Sequence, residues 1–179
     1  MHKSIAKFFV GTGLMLILLW GTAQGAGRDP GKFFFEDTFG DFQAELADAR
    51  AAGKKGIMIF FEADDCPFCH RMKRSILNQP DVQAYFRQYF RLFSVDIDGD
   101  LPVTNFDGKT MSQKDFAFKV HRVRATPVML FFDLDGKRIA RYTGAVGSKK
   151  EFLLLGQFIA EGHYRKTRFT RFKRQHRGQ

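Results

Sequence analysis

"IMIFFEADDCPFCHRMKRSIL", Ile57 to Leu77, is the stretch that decides the fold. With Gly56 in front, its first part is a continuous apolar run without alternation, the pattern of a strand buried on both faces. Its last part, "PFCHRMKRSIL", has helical spacing. Met72, Ile76 and Leu77 fall on one side, and Arg71, Lys73 and Arg74 fall elsewhere. The chain's only two cysteines, Cys66 and Cys69, stand at the junction.

Working outward, "DFQAELADARAAG" (41–53) predicts a helix with Phe42, Leu46 and Ala49 on one face and Gly53 as its stop. "DVQAYFRQYF" from Asp81 predicts a second, and "RLFSVDI" a strand. The Gly-, Asp- and Asn-rich stretch Asp98 to Ser112 reads as a surface loop. "SQKDFAFKVHRV" restores helix. "TPVMLFFD" and "KRIARYTG" read as two strands joined at the turn signature "LDG". Ser148 caps a last helix, "KKEFLLLGQFIA". This order gives an α/β sandwich around a central mixed sheet flanked by helices.

The 179 residues suit one domain with a full-sized core, and 22 Phe supply ample apolar surface. Lys3 and Lys7, the apolar run Phe8 to Trp20 and the small residues "GTAQGAG" have the layout of a secretory signal peptide over residues 1–25, with Ala23 and Gly25 at the −3 and −1 positions. An uncleaved anchor is the alternative. Either way the rest faces an extracytoplasmic, disulfide-permissive space. The folded domain is expected over 36–162. The net charge of +10 lies mostly in residues 163–179, which hold seven Lys or Arg and no acid. This basic tail is expected to be solvated and poorly ordered, with contact to an anionic membrane as its functional reading. Nucleic acid is not expected as a partner of an exported chain.

At the start of a helix, backbone N–H groups and the helix dipole stabilise a thiolate on Cys66. Pro67 fits the first turn, where its missing N–H costs nothing. Cys69 lies one turn on, so its sulfur returns to the same face. That arrangement suits exchange: Cys66, open to solvent, attacks a substrate disulfide, and Cys69 resolves the mixed disulfide. Asp64 and Asp65 oppose a thiolate, whereas Arg71, Lys73 and Arg74 favour one. The balance stays open. Phe68 is expected beside Cys66, either exposed and shaping a substrate groove or partly packed.

The quoted motifs, "CPFC" at a strand-to-helix junction and "ATPVMLFFDLDGKRIARYTG" about 60 residues later, resemble the thioredoxin superfamily from Asp41 to Ala160. More narrowly, the chain is similar to exported, periplasmic thioredoxins of the sulfur-oxidation and DsbC/DsbD-type systems. The resemblance implies a thioredoxin-like fold, a cis Pro127 facing the cysteines, Thr126 offering backbone groups to an extended substrate, and Gly144 after the hairpin. It also implies an exported thiol–disulfide oxidoreductase acting on protein substrates. That enzyme would work as a monomer and as a reductant, supplied by a membrane electron donor of the DsbD/CcdA type. The Cys66–Cys69 dithiol would carry the electrons without any further cofactor. One departure stands out. Cytoplasmic thioredoxins bury an acid six residues before the first cysteine, and that position here is Phe60. Glu62, read as lying on the opposite strand face, is the candidate substitute for that acid.

Rival readings remain. "CPFCH" also matches the c-type haem attachment pattern, with His70 as axial ligand. A thioredoxin fold can also serve as a non-catalytic binding module. A purely structural disulfide closing so short a loop would constrain the unfolded chain very little. Zinc needs about four ligands, and no metal site is expected. His121, His163 and His176 read as surface histidines.

Overall fold

The apolar run at the centre of the opening stretch becomes the middle of a sheet. In a computed structural model, which describes residues 27–176, β1 (Gly56–Glu62) is flanked by β2 (Phe90–Asp96) in parallel and by β5 (Val128–Phe132) in antiparallel, and β5 pairs in turn with β6 (Arg138–Thr143). The order β2-β1-β5-β6 makes β1 and β5 interior strands, which is why both are apolar on both faces. The expected leader, residues 1–25, lies outside the described residues. Among the described residues, no helix is long and apolar enough to cross a membrane.

Two apolar layers cover the sheet. Met58, Phe60, Leu92, Met129 and Phe131 face α3 (Pro67–Met72), the π-helical turn Lys73–Leu77, α4 (Pro80–Tyr89) and α6 (Lys149–Ala160). Ile57, Ile59, Phe61, Phe93, Leu130 and Phe132 face α2 (Phe42–Ala51) and the π-helical turn Phe116–Val120. α2 follows its predicted pattern: Asp41 accepts from the N–H groups of Gln43 and Ala44, and Phe42, Leu46 and Ala49 are buried.

The stretch read as a surface loop carries a small hairpin, β3 (Pro102–Thr104) with β4 (Thr110–Ser112). Its turn is built on Asn105, whose buried side-chain oxygen accepts from the N–H groups of Asp107 and Lys109. Strands of three residues, half of them polar, show no alternation to read. The predicted helix after it is a single turn, α5 (Gln113–Asp115), running into the π-helical turn.

The domain boundaries also shift. The chain is already part of the core before residue 36: α1 (Pro30–Phe33) leads into Phe34 and Phe35, both buried in the layer that contains the cysteines. At the other end, the tail expected to be poorly ordered is folded as far as it is described. A 3₁₀ turn (His163–Arg165) leads to α7 (Phe169–Gln175), and Phe172 packs on Phe158 with ring centroids 5.3 Å apart. Two phenylalanines three residues apart share a helix face, and burying that face holds the tail against α6. His121 is a third correction. It is only 6 % exposed and lies among Phe61, Phe116 and Phe132 rather than at the surface.

Candidate active site

β1 ends at Glu62, and the exposed Asp64 and Asp65 carry the chain over the edge of the sheet to Cys66. Cys66 is the N-cap of α3. Its Sγ accepts from the Cys69 N–H at 3.1 Å, its carbonyl accepts from the His70 N–H at 3.1 Å, and Pro67 occupies the first turn. This is the local geometry that a cysteine–proline start implies: the sulfur sits where a capping oxygen would, against the unpaired N–H groups of the first turn. Cys66 and Cys69 are joined in a disulfide with Cα atoms 5.3 Å apart.

Exposure divides the motif. Cys69 is fully buried and Cys66 is 6 % exposed, so the open sulfur expected from the sequence is not present in the disulfide form. Cys66 belongs to the apolar cluster of this layer, which also includes Ala63, Met72 and Val146. The exposed groups of the motif are Pro67, Phe68 and His70. Phe68 is 55 % exposed, with the Arg71 guanidinium 5.3 Å from its ring centroid.

Thr126 and Pro127 reach the same edge of the sheet. Val128, the next residue, pairs with Phe61 one position before the end of β1, so the Thr126–Pro127 segment emerges where the chain leaves β1 for Cys66. The Thr126–Pro127 peptide is cis, as the resemblance implies. Pro127 is buried and its carbonyl accepts from the Gly144 N–H at 2.9 Å, while Thr126 is half-buried. Gly144 has φ +90, a left-handed backbone that glycine adopts without strain.

Glu62 is placed differently from its sequence reading. It lies two residues beyond Phe60, and residues two apart on a strand share a face. Its carboxylate is held by Lys73 Nζ at 2.7 and 2.5 Å and accepts from the Ser94 hydroxyl. Lys73 lies four residues beyond Cys69, with its N–H bonded to the Cys69 carbonyl and its ammonium 5.9 Å from the Phe35 ring centroid. Phe35 in turn packs on Phe60. Glu62 therefore stands on the cysteine face, beneath the helix that carries both sulfurs. The Glu62–Lys73–Ser94 group is the part of the site that sequence reading missed; its signal was the two-residue spacing from Phe60. Among the described residues, no group of three or more His, Cys, Asp or Glu side chains forms a metal-binding cluster.

The chain belongs to the thioredoxin-like family: the profile of the thioredoxin-like domain matches residues 42–160. A thioredoxin-fold protein from Helicobacter pylori is 25% identical, with a TM-score of 0.56 over 68% of this chain and 82% of that one. A DsbH oxidoreductase is 18% identical, with a TM-score of 0.54 over 85% and 95% of the two chains. A thioredoxin from Thermus thermophilus is 24% identical, with a TM-score of 0.50 over 72% and 95%. The last two likenesses are of fold. No curated protein matches the chain significantly.

Proposed function

We propose that this chain is an exported, periplasmic thiol–disulfide oxidoreductase that reduces disulfides of protein substrates through Cys66 and Cys69. The observation that carries the reading is the closed Cys66–Cys69 pair at the start of α3, on the same sheet edge as Thr126–Pro127. In the reduced chain, the Cys66 thiolate attacks one sulfur of the substrate disulfide. That bond breaks, the leaving substrate sulfur takes a proton, and a mixed disulfide joins Cys66 to the substrate. The Cys69 thiolate then attacks the Cys66 sulfur, the mixed disulfide breaks, and the second substrate thiol leaves. Two electrons have passed to the substrate, and the chain is left with the Cys66–Cys69 disulfide. A membrane thiol carrier of the DsbD/CcdA type would restore the dithiol. Pro67, Phe68, Thr126 and Pro127 are the substrate-side surface in this reading, with the Thr126 backbone pairing an extended segment.

The burial of Cys69 speaks against the haem reading. Two thioether links need both sulfurs at an open face, and Cys69 is 0 % exposed while His70 projects from the helix surface.

Insulin-disulfide reduction by the purified chain tests the proposal. Cys66→Ser should reduce the rate to background, and Cys69→Ser should accumulate a mixed disulfide through Cys66 whose captured partner mass spectrometry identifies. Activity surviving Cys66→Ser would overturn the assignment. A reduction potential near about −120 mV would reverse the proposed direction of electron flow.

A further inference from the structure

The basic tail is presented by the fold in one orientation. Phe172 is 5 % exposed against Phe158, and Phe169 packs on Phe158 at 5.4 Å and on Tyr142 at 6.0 Å. Lys173 turns the same way and donates to Glu151 at 2.8 Å, so its charge is already compensated. With the aromatic face and one lysine directed inward, Arg168, Arg171 and Arg174 remain, all exposed. Arg171 and Arg174 lie three apart on α7 and Arg168 is its N-cap, so the three line one side of the helix. Arg165 and Lys166 in the preceding turn and Lys150 at the start of α6 are exposed as well. Acid on this side is engaged: Glu151 by Lys173 and Tyr142, and Glu161 by His163 at 2.9 Å. Residues 163–179 contain no Asp or Glu.

We propose that this arginine face of α7 docks on an anionic phospholipid bilayer. The aromatic residues that would insert into lipid from a free amphipathic tail are committed to the core. The contact is therefore peripheral and made by charge alone, and it is screened by salt. The same chain carries the apolar run Phe8 to Trp20 behind Lys3 and Lys7, a segment whose composition addresses a membrane. A lipid surface is thus the anion that this chain meets, whereas the nucleic-acid backbone is not. If the apolar run is retained, it and α7 engage one bilayer together, and the second contact forms at high effective concentration. The proposal is independent of the thiol chemistry, because α7 contributes no group to the cysteine site.

The test uses the full chain and two kinds of vesicle, phosphatidylcholine alone and phosphatidylcholine mixed with phosphatidylglycerol. Binding to the first measures what the apolar run contributes, and the ratio between the two measures the charge contribution. The wild type should prefer the mixed vesicles at low salt and lose most of that preference at high salt. Each arginine at an anionic surface accounts for roughly a fivefold change, so Arg168→Gln, Arg171→Gln and Arg174→Gln together should lower the preference by roughly a hundredfold. The corresponding triple Glu variant, which reverses the three charges, should fall further. Unchanged circular dichroism and urea-unfolding midpoints in both variants show that the fold is intact. The proposal fails if the triple Glu variant keeps the wild-type preference, if the wild type does not distinguish the vesicles, or if a DNA duplex binds more tightly than the mixed vesicles.

Discussion

On the cysteine face of the sheet, Phe86 stacks on Phe152 with centroids 4.1 Å apart. On the opposite face, Phe42 stacks on Phe116 at 5.2 Å. All four rings are fully buried, so the two layers are alike in apolar packing. They differ in their polar groups. The cysteine face holds a charged pair, Glu62 with Lys73, that is satisfied on both sides. The opposite face holds His121, whose Nε2 is buried without a hydrogen-bond partner. Burial lowers the His121 pKa first, and Arg138 and Arg141 lower it further, to about 4. One face thus keeps a compensated charge pair beneath the helix that carries the cysteines, and the other, besides the Arg91–Glu45–Asp48 cluster, keeps His121 neutral. Both cysteines lie in one layer, whereas buried aromatic stacks lie in both.

The largest effects test the equality of the two layers. Phe86→Ala and Phe116→Ala each leave a ring-sized cavity and should each cost about 3–5 kcal/mol in urea unfolding followed by circular dichroism. A single transition in both variants would show that the layers unfold together. If one variant costs far less, or splits the transition, the layers are not equivalent. The insulin-reduction rate per folded molecule should be unchanged in Phe116→Ala, which lies on the layer away from the sulfurs.

A smaller effect tests the difference between them. The folded-state pKa of His121 is depressed below its unfolded value of about 6.5, so the unfolded chain takes up a proton that the folded chain refuses. The associated stability is fully present above about pH 6.5 and is lost as pH falls towards about 4, amounting to about 3 kcal/mol at most. His121→Gln removes this titration. Its unfolding free energy should therefore fall less steeply than the wild type's across that window. Parallel slopes would show that His121 is not held neutral by the fold.

The parts that were legible in the sequence are those where one residue pattern permits one structure. An unbroken apolar run such as Gly56–Phe61 has no solvent face to offer and becomes an interior strand. "LDG" between two apolar runs makes the β5–β6 connection. Cys66 and Cys69 were found by their place at a strand-to-helix junction, and Pro127 through the resemblance. Two of the misread parts share a cause, which is that charge or composition was weighed over spacing. The seven cations of the tail turned the reading of Phe169 and Phe172 towards lipid rather than towards the core, where their three-residue spacing docks α7. The polar composition of Asp98–Ser112 concealed a hairpin whose turn is closed by one buried asparagine. His121 looks exposed at a helix end until Phe61, Phe116 and Phe132 are brought around it from three separate segments, and no local pattern encodes that. The burial of Cys66 is likewise tertiary, because Val146, which belongs to the same cluster, is 80 residues away in the chain.

The smallest expected effect is the most specific to the cysteine face. Glu62 and Lys73 cancel one another beneath the helix that carries both sulfurs. Glu62→Gln leaves the Lys73 ammonium uncompensated one turn from Cys69, and a cation near a thiol favours the thiolate. Lys73→Met leaves the Glu62 carboxylate instead, which disfavours it. The two variants should therefore move the pH midpoint of alkylation of the reduced chain in opposite directions, downward for Glu62→Gln and upward for Lys73→Met. The size should be about one pH unit or less, because the Lys73 side chain is 33% exposed and solvent screens it. Stability should change by about 1 kcal/mol or less in Glu62→Gln, since Lys73 can turn to water once its partner is neutral. A shift of the same sign in both variants would mean that the pair only props the helix in place. Opposite shifts would show that the charge balance beneath α3 sets how readily the sulfurs ionise.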